Sequence, residues 1–251
     1  MSERLRALRS SVEHLRTVAG QLDPADLQSP AHPSEWTIAD TFSHIGSTGQ
    51  ILQRMFEDAI EHRDADPAVN PAVWDEWNSK DPSTQVTDAL VADTVLLESF
   101  EGATEEQRAT VHIILGPMTL DFDRLVGIRL SEHVLHTWDI EVALNPAATL
   151  ANDSANLILD NIHSVIQFTG RATGEEETLS VRTTDPVREF SLVFEVDSVS
   201  LNDATHLGPV DLEIPAETFV RLIYGRLDAE HTPSVVDAYE IDSLRRAFPG
   251  V

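Results

Sequence analysis

Hydrophobic residues recur every three or four positions through the first 144 residues, and this spacing predicts amphipathic helices. The first pattern covers residues 3–19, and a Pro-containing connection follows it. Three more helical patterns lie at 37–62, 81–100 and 118–144, and a loop rich in Pro, Asp and Asn is predicted at 64–71. Four long helices with polar connections predict an antiparallel four-helix bundle, a fold whose interior commonly holds metal sites.

After Asn145-Pro146 the pattern changes, because short runs of β-branched and aromatic residues alternate with helical segments. Strands are predicted at 178–182, 189–196 and 210–214. Helices are predicted at 153–168, 216–224 and 237–247. The chain is therefore expected to be an α+β protein with two domains, a helical bundle over residues 1–150 and a small α/β domain over 151–251.

The charge of the chain is strongly negative, and this limits its partners. Of 251 residues, 43 are acidic and 17 are basic, which gives a formal net charge of −26. A field of this sign repels phosphate backbones and anionic lipids, so we expect no binding to nucleic acid or to a membrane surface. An anionic substrate would need local arginines to offset the field.

No apolar run approaches the ~20 residues that a membrane span needs, and the N-terminus lacks the apolar core of a signal peptide. We therefore expect a cytoplasmic protein. We further expect a monomer or weak homo-oligomer that acts on a small molecule. The chain contains no cysteine. Thiolate metal sites and a cysteine nucleophile are thereby excluded, so any thiol that takes part in its chemistry must come from outside.

The candidate chemistry lies in the last bundle helix. Glu132 and His136 are four residues apart, so they project from one helical face within an otherwise apolar segment. If His44 on the second predicted helix points at that face, two imidazoles and one carboxylate can hold a divalent metal with a coordination position left open. An open position is typical of a catalytic site rather than a structural one.

Spacing alone is weak evidence for this site. Three of the ten histidines have an acid four residues earlier, and the acid content predicts about two such pairs by chance. The context adds weight, because charged groups inside an apolar bundle are costly unless they are paired or bind a metal. His133 is turned by about 100° from its neighbour on the helix and is not expected to be a ligand.

Four segments together carry a family resemblance. The segments 130–140 (LSEHVLHTWDI) and 36–45 (WTIADTFSHI) resemble the two metal-binding stretches of the mycothiol-dependent maleylpyruvate isomerase family, within the DinB-like metalloenzymes. Residues 224–227 (YGRL) and 244–250 (LRRAFPG) resemble its C-terminal domain, a small α/β fold related to sterol-carrier domains. The resemblance covers nearly the whole chain in the expected order.

The resemblance implies zinc, or another divalent metal, held by His44, Glu132 and His136 in a DinB-like bundle. It also implies mycothiol as the thiol cofactor. The metal would favour the thiolate, which either adds to maleylpyruvate for cis–trans isomerisation or attacks an electrophile in S-transfer. Two alternatives remain open: a metal-dependent hydrolase that activates water, and a ligand-binding member of the fold without turnover.

Further residues are assigned expected roles. The resemblance suggests Arg226 as a catalytic arginine that binds a substrate carboxylate, the alternative being a structural salt bridge. Asp139 is expected to orient a ligand histidine, to bind the cofactor or to cap an element. The family's second basic residue corresponds to Arg54 or Lys80, with no motif to choose between them. Trp36 and Trp138 are expected to pack in the core.

Overall fold

A computed structural model describes residues 1–32, 35–64, 66–116, 118–234, 236 and 238–250, without the side chains of 238–240. The chain divides into two compact units, Met1–Pro146 and Ala147–Val251. The first unit is mainly helical and the second combines helices with a sheet, which confirms the predicted α+β class. None of the helices in the described ranges combines the length and apolar composition that a bilayer crossing requires.

The first unit contains six α-helices and a small hairpin among its described residues. In chain order they are α1 (Glu3–Ala19), α2 (Ile38–Ile60), α3 (Asn70–Asn78), α4 (Pro82–Gly102), α5 (Glu105–Thr110), β1 (Ile113–Leu115), β2 (Met118–Leu120) and α6 (Phe122–Leu144). The four long helices α1, α2, α4 and α6 form the bundle. In it, α1 and α2 each pack against both α4 and α6.

The directions of the four bundle helices follow from their contacts. Ser11 and His14 of α1 contact His133 and Glu141 of α6, so these two helices run in the same direction. Helices α2 and α4 also run in the same direction, because Gly46 lies against Ala89 and Phe56 against Phe100. The second pair is antiparallel to the first, since His44 and Thr48 of α2 meet Glu132 and Arg129 of α6 in reverse order.

This order requires a long return between α2 and α4. A 23-residue helix is about 35 Å long, so the chain must travel back along α2 before α4 can start beside its first turns. The segment that contains α3 makes this return. The ring of Trp77 packs so closely on α2 that a Cβ at Gly46 would lie 2.3 Å from it, and its Nε1 donates to Oε1 of Gln50 at 2.7 Å.

The boundaries of two predicted segments are wrong. The loop predicted at 64–71 overlaps the start of α3, which begins at Asn70 because Pro71 is tolerated in the first helical turn. The helix predicted at 118–144 begins only at Phe122. Asp121 caps it by accepting a hydrogen bond from the backbone N–H of Arg124 at 2.8 Å, and the three residues Met118–Leu120 pair with β1 instead.

The second unit is built on a four-stranded sheet. Its elements are α7 (Asn152–Leu159), α8 (Ile162–Thr169), β3 (Glu177–Thr184), β4 (Arg188–Phe194), β5 (Val199–Asp203), β6 (Leu212–Pro215), α9 (Ala216–Ile223) and α10 (Ala238–Ala247). The strand order is β5-β4-β3-β6, and only the β3–β6 pair is parallel. Alternate residues such as Phe190, Leu192 and Phe194 are buried, as expected for a sheet covered on one face.

One helical prediction in this unit is wrong in part, and the start of another lies outside the described residues. The single helix predicted at 153–168 is interrupted between α7 and α8, where Asp160 accepts a hydrogen bond from Arg188 at 2.6 Å and the N–H of Asn161 donates to the carbonyl of Ile158, three residues back, in a turn. Asp and Asn favour such breaks because their side chains compete for local hydrogen bonds. The helix predicted at 237–247 is described from Ala238 onward, and Asp237 lies outside the described residues.

Candidate metal centre

His44, Glu132 and His136 lie together where α2 and α6 pack against each other. Nε2 of His44 is 3.4 Å from Oε2 of Glu132, and Nε2 of His136 is 3.6 Å from the same oxygen. One candidate ligand atom from each residue fits within a group whose members all lie within 4.8 Å of one another. The two helices therefore bring His44 to Glu132, which lies 88 positions later in the sequence, and to His136, one turn beyond Glu132.

The start of α2 determines where His44 points. Oγ1 of Thr37 accepts a hydrogen bond from the backbone N–H of Asp40 at 3.1 Å, and Oδ2 of Asp40 accepts one from the N–H of Thr37 at 3.0 Å. This capping box fixes Ile38 as the first helical residue. His44 consequently lies almost two turns into the helix, level with Glu132 on the antiparallel α6.

The donor set fits a divalent metal ion. Ligand atoms about 2.0 Å from a tetrahedral zinc are about 3.3 Å from each other, close to the two nitrogen–oxygen separations here. These separations exceed the typical hydrogen-bond range of about 2.7–3.2 Å. Three protein ligands would leave a fourth position for an exogenous group.

The electrostatics of the group also favour metal binding. Burial opposes the ionisation of Glu132, but the close approach and the charges of His136 and His44 outweigh it and hold the pKa of Glu132 well below its usual range. Burial lowers the pKa of His44, and the charge of nearby His136 acts in the same direction. An ionised carboxylate beside a neutral imidazole is the protonation state that a metal ion requires of its ligands.

Asp139 lies directly behind His136. Its side chain is fully buried, and Oδ2 accepts a hydrogen bond from Nδ1 of His136 at 2.8 Å. This contact places the proton of the imidazole on Nδ1 and leaves Nε2, the atom that faces Glu132, available as a ligand. The backbone around Asp139 is held as well, since its carbonyl accepts a hydrogen bond from the N–H of His32 at 3.0 Å.

One aromatic prediction holds and the other is wrong. Trp138 is buried in the core at 1% exposure, as predicted. Trp36 is 36% exposed, and its ring centroid lies 5.0 Å from that of His44 and 5.9 Å from that of His136. Trp36 precedes α2, so it lies at the edge of the bundle rather than inside it. Its ring packs beside the imidazoles of both candidate histidine ligands.

A buried polar cluster beside this site was not predicted from the sequence. Asp93 of α4 binds Arg129 and His133 of α6, and His133 in turn lies 2.7 Å from Oγ of Ser11 on α1. Asp93, Arg129 and His133 are all nearly inaccessible. An arginine within the apolar segment of α6 was the available signal, because a buried guanidinium requires an acidic partner.

The other basic candidates are engaged with protein groups. In the first unit, Arg54 donates to Oδ1 of Asn70 at 2.5 Å, while Nζ of Lys80 lies 2.9 Å from Asp88 and over the ring of Trp77. Arg226 belongs to the second unit, where it is buried and donates to the carbonyl of Tyr224 at 3.0 Å.

The turn before Arg226 depends on a close approach of two glycines. Gly225 adopts a φ of +70°, and a Cβ there would lie 2.1 Å from the backbone of Gly250. Only glycine tolerates both the positive φ and the close backbone contact. Gly225 therefore fixes the backbone position from which the side chain of Arg226 extends.

Comparisons with known proteins identify relatives of the chain. Residues 8–141 match the sequence model of the mycothiol maleylpyruvate isomerase N-terminal domain. Comparison with curated protein sequences gives no significant match. Among solved structures, a mycothiol-dependent maleylpyruvate isomerase matches with a TM-score of 0.67 and 15% identity, over 94% of this chain and 93% of that one. A mutant of such an isomerase matches with a TM-score of 0.66 and 14% identity, over 90% and 89%. Both structures share the fold described above.

Proposed function

Because the chain belongs to the mycothiol maleylpyruvate isomerase family, we propose that it is an enzyme that uses mycothiol as its thiol cofactor. Its reaction is the isomerisation of a maleylpyruvate-like substrate or the transfer of the thiol sulfur to an electrophile. The observation that carries this proposal is the convergence of His44, Glu132 and His136 within the part of the chain that matches the family.

The same three residues are proposed to bind zinc or another divalent metal, since two imidazoles and a carboxylate suit several such ions. When bound, the metal would supply an open position that takes the sulfur of mycothiol and lowers its pKa. Asp139 holds His136 in the tautomer that presents Nε2. Trp36 lies against both histidine rings on one side of the site.

The isomerisation follows from the chemistry of a thiolate. The sulfur forms a bond to one carbon of the cis double bond. The π electron pair of the double bond is displaced towards the conjugated carbonyl, whose oxygen takes the negative charge. Rotation about the resulting single bond follows. The electron pair then returns, re-forms the double bond in the trans configuration and expels the thiolate. The chain has no cysteine, so an external thiol is the only sulfur nucleophile for this step.

Arg226 is proposed to bind a substrate carboxylate. Its guanidinium donates to the carbonyl of Tyr224 just before the Gly225 turn, and a planar fork of donors suits bidentate recognition of a carboxylate. Such a contact would also offset the negative field of a chain with a net charge of −26. Replacing Arg226 by lysine should therefore raise the KM for the carboxylate substrate by a larger factor than the factor by which it lowers the yield of folded protein.

The proposed function is tested by measuring thiol dependence. Zinc-loaded protein is incubated with maleylpyruvate, with and without mycothiol, and the trans isomer is quantified. We expect turnover only with mycothiol, and we expect Glu132→Gln to abolish it. Glu141→Gln, an acid on the same helix that pairs with His14, is the matched control and should retain activity.

A second arm of the experiment separates the two thiol reactions. An alkyl or aryl electrophile replaces maleylpyruvate, and the thioether with mycothiol is quantified. Product in this arm alone would identify an S-transferase. Turnover of a hydrolysable substrate that is unaffected by mycothiol would overturn the thiol mechanism in favour of activated water.

A further inference from the structure

The buried cluster of Asp93, Arg129 and His133 joins all four long helices of the bundle. Arg129 and His133 lie on α6, and they reach Asp93 on α4 and Ser11 on α1. Arg129 also binds α2 through two further hydrogen bonds. The guanidinium of the cluster belongs to a residue about one helical turn from Glu132, since Arg129 precedes Glu132 by three positions on α6.

The contacts of Arg129 with α2 are to the turn that follows His44. Nη2 donates to the carbonyl oxygen of Ile45 at 3.0 Å, and Nη1 donates to Oγ1 of Thr48 at 3.0 Å. The hydroxyl of Thr48 in turn donates to the carbonyl oxygen of His44 at 2.7 Å. Arg129 lies on α6 together with the candidate ligands Glu132 and His136. Its guanidinium is thus linked to the backbone of the third candidate ligand, His44, on α2.

The packing of α2 allows this approach. Gly49 faces the guanidinium, and a Cβ there would lie 3.3 Å from Nη2 of Arg129 and 3.8 Å from Oδ1 of Asp93. Glycine is unfavourable inside a helix by about 1 kcal/mol relative to alanine. Its presence at a buried helical position is explained by the space that the guanidinium occupies.

We propose that Arg129 is a positioning residue that sets the spacing and rotation of α2 relative to α6, and so places His44 against Glu132 and His136. This inference rests on the proposed metal site. Asp93 supplies the charge that a buried guanidinium requires, and the planar fork of arginine reaches Asp93, Ile45 and Thr48 at once. Lysine keeps the charge but has no such fork.

The test uses the full-length protein loaded with cobalt(II) as a spectroscopic probe of the site. Cobalt affinity is measured by chelator competition, and the visible absorption spectrum is recorded at saturating cobalt. For Arg129→Lys we expect an affinity loss of about tenfold, the size found when groups that orient metal ligands are removed, and an altered spectrum. Thr48→Val removes one acceptor of Arg129 at a half-buried position and should cause a smaller loss in the same direction.

Ser47→Ala is the matched control. The hydroxyls of Ser47 and Thr48 donate to the same carbonyl oxygen of His44, at 3.1 Å and 2.7 Å. Of these two hydroxyls, Arg129 binds only that of Thr48. Cobalt affinity and spectrum should be unchanged in this variant. Circular dichroism and the thermal midpoint are recorded for each protein, because a purely structural role for Arg129 would lower the midpoint without changing the spectrum of saturated cobalt.

The outcomes distinguish the two proposals. If the parent protein binds cobalt and both Arg129→Lys and Thr48→Val bind it with the parent affinity and spectrum, the positioning role is wrong and the metal site stands. Should Arg129→Lys fail to fold, Thr48→Val compared with Ser47→Ala decides the question. If the parent protein itself binds no cobalt, the metal site is wrong, and the positioning role falls with it.

Discussion

At the scale of single residues, the candidate centre depends on groups that orient its three possible ligands. Nδ1 of His136 donates a hydrogen bond to Asp139, and this buried carboxylate determines which imidazole nitrogen faces Glu132. The sequence predicted the three ligands by their residue types and by resemblance. It left three roles open for Asp139, because a spacing of three residues does not show whether two side chains turn towards each other.

Replacing Asp139 by asparagine should weaken zinc binding by about 10- to 100-fold, because the amide cannot accept the Nδ1 proton as strongly and the tautomer of His136 is no longer fixed. Chelator competition measures this affinity. Glu141→Gln on the same helix disturbs an acid–histidine pair outside the centre, so it should have no effect. Equal zinc affinity in Asp139→Asn and the parent protein would show that Asp139 does not orient His136.

At the scale of elements, periodicity predicted the four long helices of the first unit and missed the two short helices that lie between them. An amphipathic pattern needs several turns to be recognised, and α3 and α5 span only nine and six residues. The strands β1 and β2 have three residues each, too few for an alternating pattern. The pairing of Arg129 with Asp93 was also beyond prediction, because it depends on the relative directions of α4 and α6.

This buried pair predicts a pH dependence of stability. Burial opposes ionisation of Asp93, but His133 and Arg129 outweigh it and hold the pKa of Asp93 below its usual value. The ionised form is therefore favoured by folding. Its contribution to stability is fully present above the pKa of an unfolded Asp, about 3.9, and is lost as the pH falls through the lower pKa of the folded state.

Thermal unfolding of the parent protein and of Asp93→Asn between pH 7 and pH 2 measures this effect. We expect the difference in midpoint to narrow as the pH falls below about 4. The comparison with Asp93→Asn removes the contributions of the other acids, which both proteins share. A difference that stays constant down to the lowest pH would contradict a lowered pKa for Asp93.

At the scale of the whole molecule, the dominant property is the net charge of −26. Such an excess destabilises a compact chain through repulsion between its own charges. Salt screens this repulsion, since the Debye length falls from about 30 Å at 0.01 M to about 3 Å at 1 M. The thermal midpoint should therefore rise with sodium chloride over this range. The same rise in potassium chloride would identify screening as the cause, and a midpoint that falls with salt would contradict net repulsion.

The central claim is that His44, Glu132 and His136 bind a metal ion with a position open to mycothiol. Titration of the cobalt-loaded protein with mycothiol tests it most directly, because a cobalt–sulfur bond adds a charge-transfer absorption in the near ultraviolet. We predict that this band appears and saturates at one thiol per protein, and that it is absent from His136→Ala. A cobalt spectrum that mycothiol leaves unchanged would contradict the account.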